Sequence, residues 1–223
     1  MSAKKEILDR INALAGEYSP YQIFSDWVQC CALAICNACH LPGKIWNARE
    51  KEYMAVIGRH SKPTQVAFAE LFITLPIAYE EEGMTDILGE VYMEGGFGSG
   101  QTGQFFTPFN LSELTARLCI DDLLAKRGQD GKIWLHEPSA GGGAMVIAAA
   151  KVLKDAGINY QRELKVVAQD LDWRGVYTCY TQLSLLGIQA RVVQGDTLAD
   201  PYRPGFPRER ILETPAWMGV LVR

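Results

Sequence analysis

Three carboxylates and a run of glycines carry the chemistry available to this sequence. Glu137, Asp170 and Asp196 each close a short apolar run: Ile133-Trp134-Leu135, Lys165-Val166-Val167-Ala168 and Ala190 to Val193. Runs of this kind suit buried strands of a parallel sheet. In an open α/β sheet the ligand sits beyond the carboxyl ends of the strands, so the three acids would line one crevice. Gly141, Gly142 and Gly143 follow the first of these strands and precede Ala144–Leu153, a strong helix former with apolar residues at helical spacing. Lacking β-carbons, they let a ligand approach the backbone, and the N–H groups that open the helix are available to it as donors. Strand, glycine turn and helix together make a nucleotide-type ligand site.

The elements that must position these residues are legible around them. Arg174–Leu186 reads as the helix between the second and third strands, stopped by Gly187. A dinucleotide fingerprint would need a third glycine where Val146 stands, which weakens a nicotinamide reading. Asn110 with Glu113 reads as a capping box for a helix reaching Lys126. Residues 95–109 hold a Gly-rich stretch, read as a lid or linker that runs into Gln104-Phe105-Phe106-Thr107-Pro108. The preceding third, 1–94, is helical. Ser19-Pro20 starts a helix that is apolar nearly all round, segments near Ala48–Ile57 and Thr64–Leu75 follow, Pro76 ends or kinks the latter, and Thr85 caps a helix through Met93. Domains are therefore expected at 1–94, 95–109 and 110–223, the last a Rossmann-like cofactor-binding domain.

Composition bounds the function classes. A chain of 223 residues with net charge −4 and scattered Lys and Arg shows no basic stripe for nucleic acid. There is no apolar run of eighteen residues and no signal-peptide core near Ser2–Glu6, so a soluble, cytoplasmic protein is expected. Six cysteines do not suggest a disulfide scaffold. Cys36-Asn37-Ala38-Cys39-His40 spells a haem-attachment motif, but its place at the end of an apolar helix reads as small buried thiols, and no metal site is expected. His60 and His136 read as structural.

Taken in order, four stretches resemble the S-adenosylmethionine-dependent DNA adenine-N6 methyltransferases, particularly the modification subunits of type I restriction-modification systems. They are Asp86–Tyr92, Gly103–Pro108, Glu137-Pro138-Ser139-Ala140-Gly141-Gly142-Gly143, and the pair Gln169–Asp172 with Gly195–Leu198. The resemblance implies an α/β, Rossmann-like fold and S-adenosyl-L-methionine as cofactor. It also implies roles: Asp170 accepts from the ribose hydroxyls, Leu171 packs on the adenine and Asp196 accepts from its amino group. The Thr197 N–H donates to the ring. Phe106-Thr107-Pro108 and the turn from Pro138 and Ser139 through Gly141 and Gly143 surround the methionine end, where Glu137 holds the turn or the cofactor's amino group.

The family's catalytic motif is Asn/Asp-Pro-Pro-aromatic, and no such tetrapeptide exists here. Thr214-Pro215-Ala216-Trp217 comes nearest, with Thr214, Pro215 and Trp217 as the candidate catalytic residues. A threonine hydroxyl is a poorer acceptor for a target amine than an amide or carboxylate oxygen. The expected function is thus a cofactor-binding adenine-N6 methyltransferase-family protein with a degenerate catalytic motif; the alternative is a catalytically inactive regulatory or assembly protein of the same descent. DNA would be reached mainly through a partner subunit or separate recognition domain. Met218–Val222 is expected to form a fourth strand beside the first, leaving a shortened sheet whose apolar edge is covered by a homodimer, by the protein's own helical region or by a partner subunit.

Overall fold

The computed structural model describes residues 2–97 and 106–220. Five helices come first: α1 (Ala3–Ala13), α2 (Pro20–Ala38), α3 (Lys44–Ile57), α4 (Lys62–Glu82) and α5 (Ile87–Glu94). Ser2, Ser19 and Ser61 cap α1, α2 and α4 through their hydroxyls, and Pro20 and Pro63 occupy first turns where the missing N–H costs nothing. The apolar girth of α2 is explained by its position: Ile23, Phe24, Trp27, Leu33 and Cys36 are all buried. Cys30, Cys31 and Cys36 are likewise buried free thiols, whereas Cys39, the second cysteine of the haem-like motif, is a half-buried free thiol at the end of α2.

Three sequence expectations fail here for physical reasons. Of the two outcomes expected at Pro76, an end to the helix does not occur: α4 runs on to Glu82, with Leu71, Leu75 and Ala78 fully buried on one face to hold it. Asp86 rather than Thr85 caps α5, accepting from the Gly89 amide at 3.0 Å. The helix expected to start at Asn110 starts at Phe109, behind Pro108, without a side-chain cap: α6 (Phe109–Ala125). Its Glu113 turns to Lys151 and Arg117, both at 2.6 Å, instead of closing a capping box. Of the Gly-rich stretch, Gly95 and Gly96 close α5 and Phe97 is buried against Phe24 and Tyr92. The rest of the expected lid, with Gly103, Gln104 and Phe105, lies outside the described residues.

The remainder alternates strand and helix: β1 (Ile133–Glu137), α7 (Ala144–Asp155), α8 (Tyr160–Glu163), β2 (Leu164–Asp170), α9 (Trp173–Leu185), β3 (Gln189–Gln194) and β4 (Ile211–Glu213). The first three strands are parallel neighbours, with Leu135 opposite Val166 and Val166 opposite Ala190. Ile133, Val166, Ala168, Ala190 and Val192 share one face and are fully buried, in one apolar cluster that also takes in the cores of α1, α2, α4 and α5. The helical third and the sheet thus share a core.

The fourth strand is not the expected one. Ile211–Glu213 pairs antiparallel with β3, Ile211 opposite Val193, at the far side of the sheet from β1. The connection from β3 carries one short 3-10 turn, Arg208–Arg210, and no crossover α-helix, and it brings β4 back antiparallel. Met218 and Gly219 lie in turns, the Val220 amide reaches the Pro215 carbonyl at 2.9 Å, and Leu221 and Val222 lie outside the described residues. No helix among the described residues is long and apolar enough to cross a membrane.

Candidate functional site

The site is built on the turn between β1 and α7. Gly141 and Gly143 take φ angles of 50° and 100°, a left-handed backbone that glycine adopts without strain. A β-carbon on Gly143 would lie 3.1 Å from the Cys179 sulfur. No side chain caps α7, so the N–H groups of its first turn remain available to a ligand. The Gly141 amide donates to Asp170 Oδ2 at 2.7 Å, and Asp170 Oδ1 accepts from the Asp172 amide at 2.9 Å. The acid that ends β2 therefore fixes the turn that follows β1.

The structure brings together, at the carboxyl ends of the strands, the residues that the sequence marks for the cofactor. Glu137 Oε1 accepts from the Ser139 amide at 3.1 Å and so holds the start of the turn. The Thr197 hydroxyl donates to the Pro138 carbonyl at 2.6 Å, tying the loop after β3 to the loop after β1. Asp196 closes its own loop, accepting from the Leu198 and Ala199 amides. Leu171, just past the end of β2, is 67% exposed and presents an apolar surface to solvent. Each oxygen of Asp170 takes one amide hydrogen bond and keeps a second lone pair, and the two amides on Asp196 both go to Oδ1, leaving Oδ2, so both acids can still accept from a ligand.

Phe106 lies across the turn, its ring 3.1 Å from where a Gly141 β-carbon would be, and packs at a tilt against Tyr92, ring centroids 4.8 Å apart. Phe106, Thr107 and Pro108 join α5 in lining a cleft of about 480 Å³ beside the turn. Asp86 and Gly89 line it from α5. Behind it, the buried Gln182 of α9 donates to Asp86 Oδ1 at 2.6 Å and to the Gly142 carbonyl at 2.8 Å. Its own oxygen accepts from the Tyr79 hydroxyl and the Leu88 amide. Burial pushes the Asp86 carboxyl up to about 6, against the hydrogen bonds from Gln182 and Gly89. Sequence reasoning places Asp86 in a motif but gives it no role and passes over Gln182. The available signal for Gln182 is an amide in a stretch of α9 whose neighbours, Leu183 and Cys179, are fully buried.

Thr214, Pro215 and Trp217 are not brought to this crevice. Because β4 runs antiparallel to β3, the chain leaves it at the amino end of the sheet: the Thr214 amide donates to the Ala190 carbonyl at 2.9 Å. Thr214 is fully buried, and its hydroxyl donates to the Ile188 carbonyl at 2.7 Å while accepting from the Ala190 amide at 3.0 Å. Trp217 sits between the Lys165 ammonium at 4.6 Å and the Arg191 guanidinium at 4.5 Å, beside Trp134. The candidate tetrapeptide is a structural corner at the opposite end of the strands from the glycine turn. His136 is exposed at the end of β1, and His60 is buried against Asp26 at 2.8 Å. Among the described residues no cluster of three or more His, Cys, Asp or Glu side chains is arranged to hold a metal.

The carboxyl ends of the strands offer three kinds of group to a ligand: carboxylate acceptors, an exposed apolar side chain and free helix N–H groups. They belong to Asp170 and Asp196, to Leu171, and to the first turn of the uncapped α7 behind the glycine turn. The sequence profile of the N-6 DNA methylase family matches residues 84–217, more than half of the chain. A crystal structure from Listeria monocytogenes, described as a class I S-adenosylmethionine-dependent methyltransferase, superposes with a TM-score of 0.52 at 13% sequence identity. The superposition covers 89% of this chain and 55% of that one, so the likeness is one of fold and this chain spans about half of the other's length. No curated protein matches the sequence.

Proposed function

The chain belongs to the N-6 DNA methylase family, whose cofactor is S-adenosylmethionine, and on that premise we propose that it binds this cofactor at the glycine turn and does not by itself methylate DNA. When bound, the cofactor supplies an electrophilic methyl on sulfur, open to in-line attack by an adenine N6 amine. The chain's own contribution is binding and orientation. Asp170 accepts from the ribose hydroxyls with the lone pairs that Gly141 and Asp172 leave free, so one carboxylate shapes the turn and anchors the sugar. Leu171 covers a face of the adenine, and Asp196 accepts from its amino group. The turn and the first N–H groups of α7 face the carboxylate of the amino-acid end.

Methyl transfer also needs an acceptor that orients the target amine against the methyl group. The observation that carries this reading is the separation of the two halves of the expected site. The Gly141–Asp170 contact lies at the carboxyl ends of the strands, and the Thr214 hydroxyl is consumed by Ile188 and Ala190 at the amino ends. Losing one oriented polar group of this kind costs about a hundredfold or more in rate, by analogy with oxyanion donors. The net charge of −4 gives little help with DNA phosphates, which favours delivery of DNA by a partner. The same separation favours a second reading, a cofactor-responsive regulatory or assembly role. The test is transfer of labelled methyl groups to unmodified duplex DNA by the purified chain: background incorporation is expected, and robust labelling of adenine overturns the proposal.

A further inference from the structure

Asp86 is only 2% exposed, yet it lines the cleft beside the glycine turn. Its Oδ1 takes both of its hydrogen bonds, from Gly89 and Gln182. Its Oδ2 rests on Gly89, where a β-carbon would overlap it, and among the described residues no donor reaches that oxygen. Among the same residues no cation pairs with it. Glu90, on its own helix, is taken by Lys4 of α1 at 2.7 Å. Tyr79 from α4 and Cys179 from α9 face it as neutral groups, both pushed well up by burial. Glu113, across the cleft, is held by Lys151 and Arg117.

A buried carboxylate with only neutral donors costs the fold stability, and cleft groups perturbed in this way mark ligand sites. Gln182 fixes where the charge sits. The amide that holds Asp86 also holds the Gly142 carbonyl, and Asp86 Oδ1 lies 3.5 Å from where a Gly142 β-carbon would be. We propose that Asp86 is the counter-charge for a ligand ammonium group, the α-ammonium of the amino-acid end of S-adenosylmethionine, with Gln182 as its positioning residue. This rests on the cofactor reading above and adds to it a residue from the helical third of the chain.

The test is calorimetry with two probes, S-adenosylhomocysteine, which carries the ammonium, and 5′-methylthioadenosine, which lacks the amino-acid end. Asp86→Asn should weaken S-adenosylhomocysteine about tenfold to a hundredfold, the range of a charged hydrogen bond, and leave 5′-methylthioadenosine unchanged. In the wild-type protein, affinity for S-adenosylhomocysteine should fall as pH drops below about 6, where Asp86 protonates, while that for 5′-methylthioadenosine stays level. This second measurement needs no variant. Equal S-adenosylhomocysteine binding by folded Asp86→Asn, with a flat wild-type profile between pH 5 and 7.5, overturns the assignment and leaves the cofactor reading standing. Failure of the wild-type chain to bind either probe overturns both.

Discussion

The Gly141 amide and the Asp170 carboxylate meet at 2.7 Å, so the turn after β1 and the acid that ends β2 form one unit. The shape of a glycine turn is set here from the neighbouring strand, and anything that disturbs either residue should disturb both the fold of the turn and its ligand.

Gly143→Ala tests the turn itself. Its φ of 100° disfavours any β-carbon, and that carbon would press on the Cys179 sulfur at 3.1 Å. The expected loss is about 1–3 kcal/mol of stability, the range for strained backbone, together with weaker cofactor binding. Urea unfolding and calorimetry measure the two. Unchanged stability and affinity would mean the turn does not need its left-handed residue.

Asp86→Asn should stabilise the protein at neutral pH while impairing its binding. The folded carboxyl titrates at about 6, raised from 3.8 by burial, so the protonated form is favoured in the fold. The stability that goes with this proton is fully present below about 4 and is lost as pH rises through about 6. Asparagine removes that dependence. The variant's advantage over wild type should grow between pH 4.5 and 7.5 by up to about 2–3 kcal/mol, an upper bound from a two-unit shift. Urea unfolding of both proteins across that window is the measurement, and a gap that does not vary with pH would contradict the prediction.

Thr214→Val should behave as a structural lesion. It leaves the Ala190 amide without its acceptor and the Ile188 carbonyl without its donor in a fully buried corner. The expected cost is about 1–3 kcal/mol of stability with cofactor affinity unchanged. Thermal unfolding alongside calorimetry checks it. A variant of wild-type stability that loses ligand binding would place Thr214 in the site after all.

Where local pattern and tertiary packing agree, the site is legible in the residues. Glu137, Asp170 and Asp196 close apolar runs and do stand together at the strand ends, because a parallel sheet with helical crossovers leaves little choice of where such ends point. What escaped was set by distant partners. Pro76 reads as an end or a kink, and the burial of Leu75 and Ala78, which holds the helix through it to Glu82, is not visible locally. The strand of Ile211–Glu213 is three residues long, too short for periodicity to show, and it exists through its pairing with β3. Thr214 could be placed near a catalytic motif by spacing alone, since spacing carries no information on whether the next strand runs parallel or antiparallel. The Asp86–Gln182 bond spans 96 residues, and no local signal reports it.

The most direct test of the central claim is a calorimetric titration of the wild-type chain and of Asp170→Ala with S-adenosylmethionine. The alanine removes both the clamp on Gly141 and the ribose acceptor, and charged hydrogen bonds of this kind are worth about 1.5–3 kcal/mol each. One saturable site is expected in the wild type, with a loss of about 2–4 kcal/mol in Asp170→Ala, roughly thirtyfold to a thousandfold. No detectable heat of binding by the folded wild-type chain at millimolar cofactor, or equal affinity in the two proteins, would contradict it.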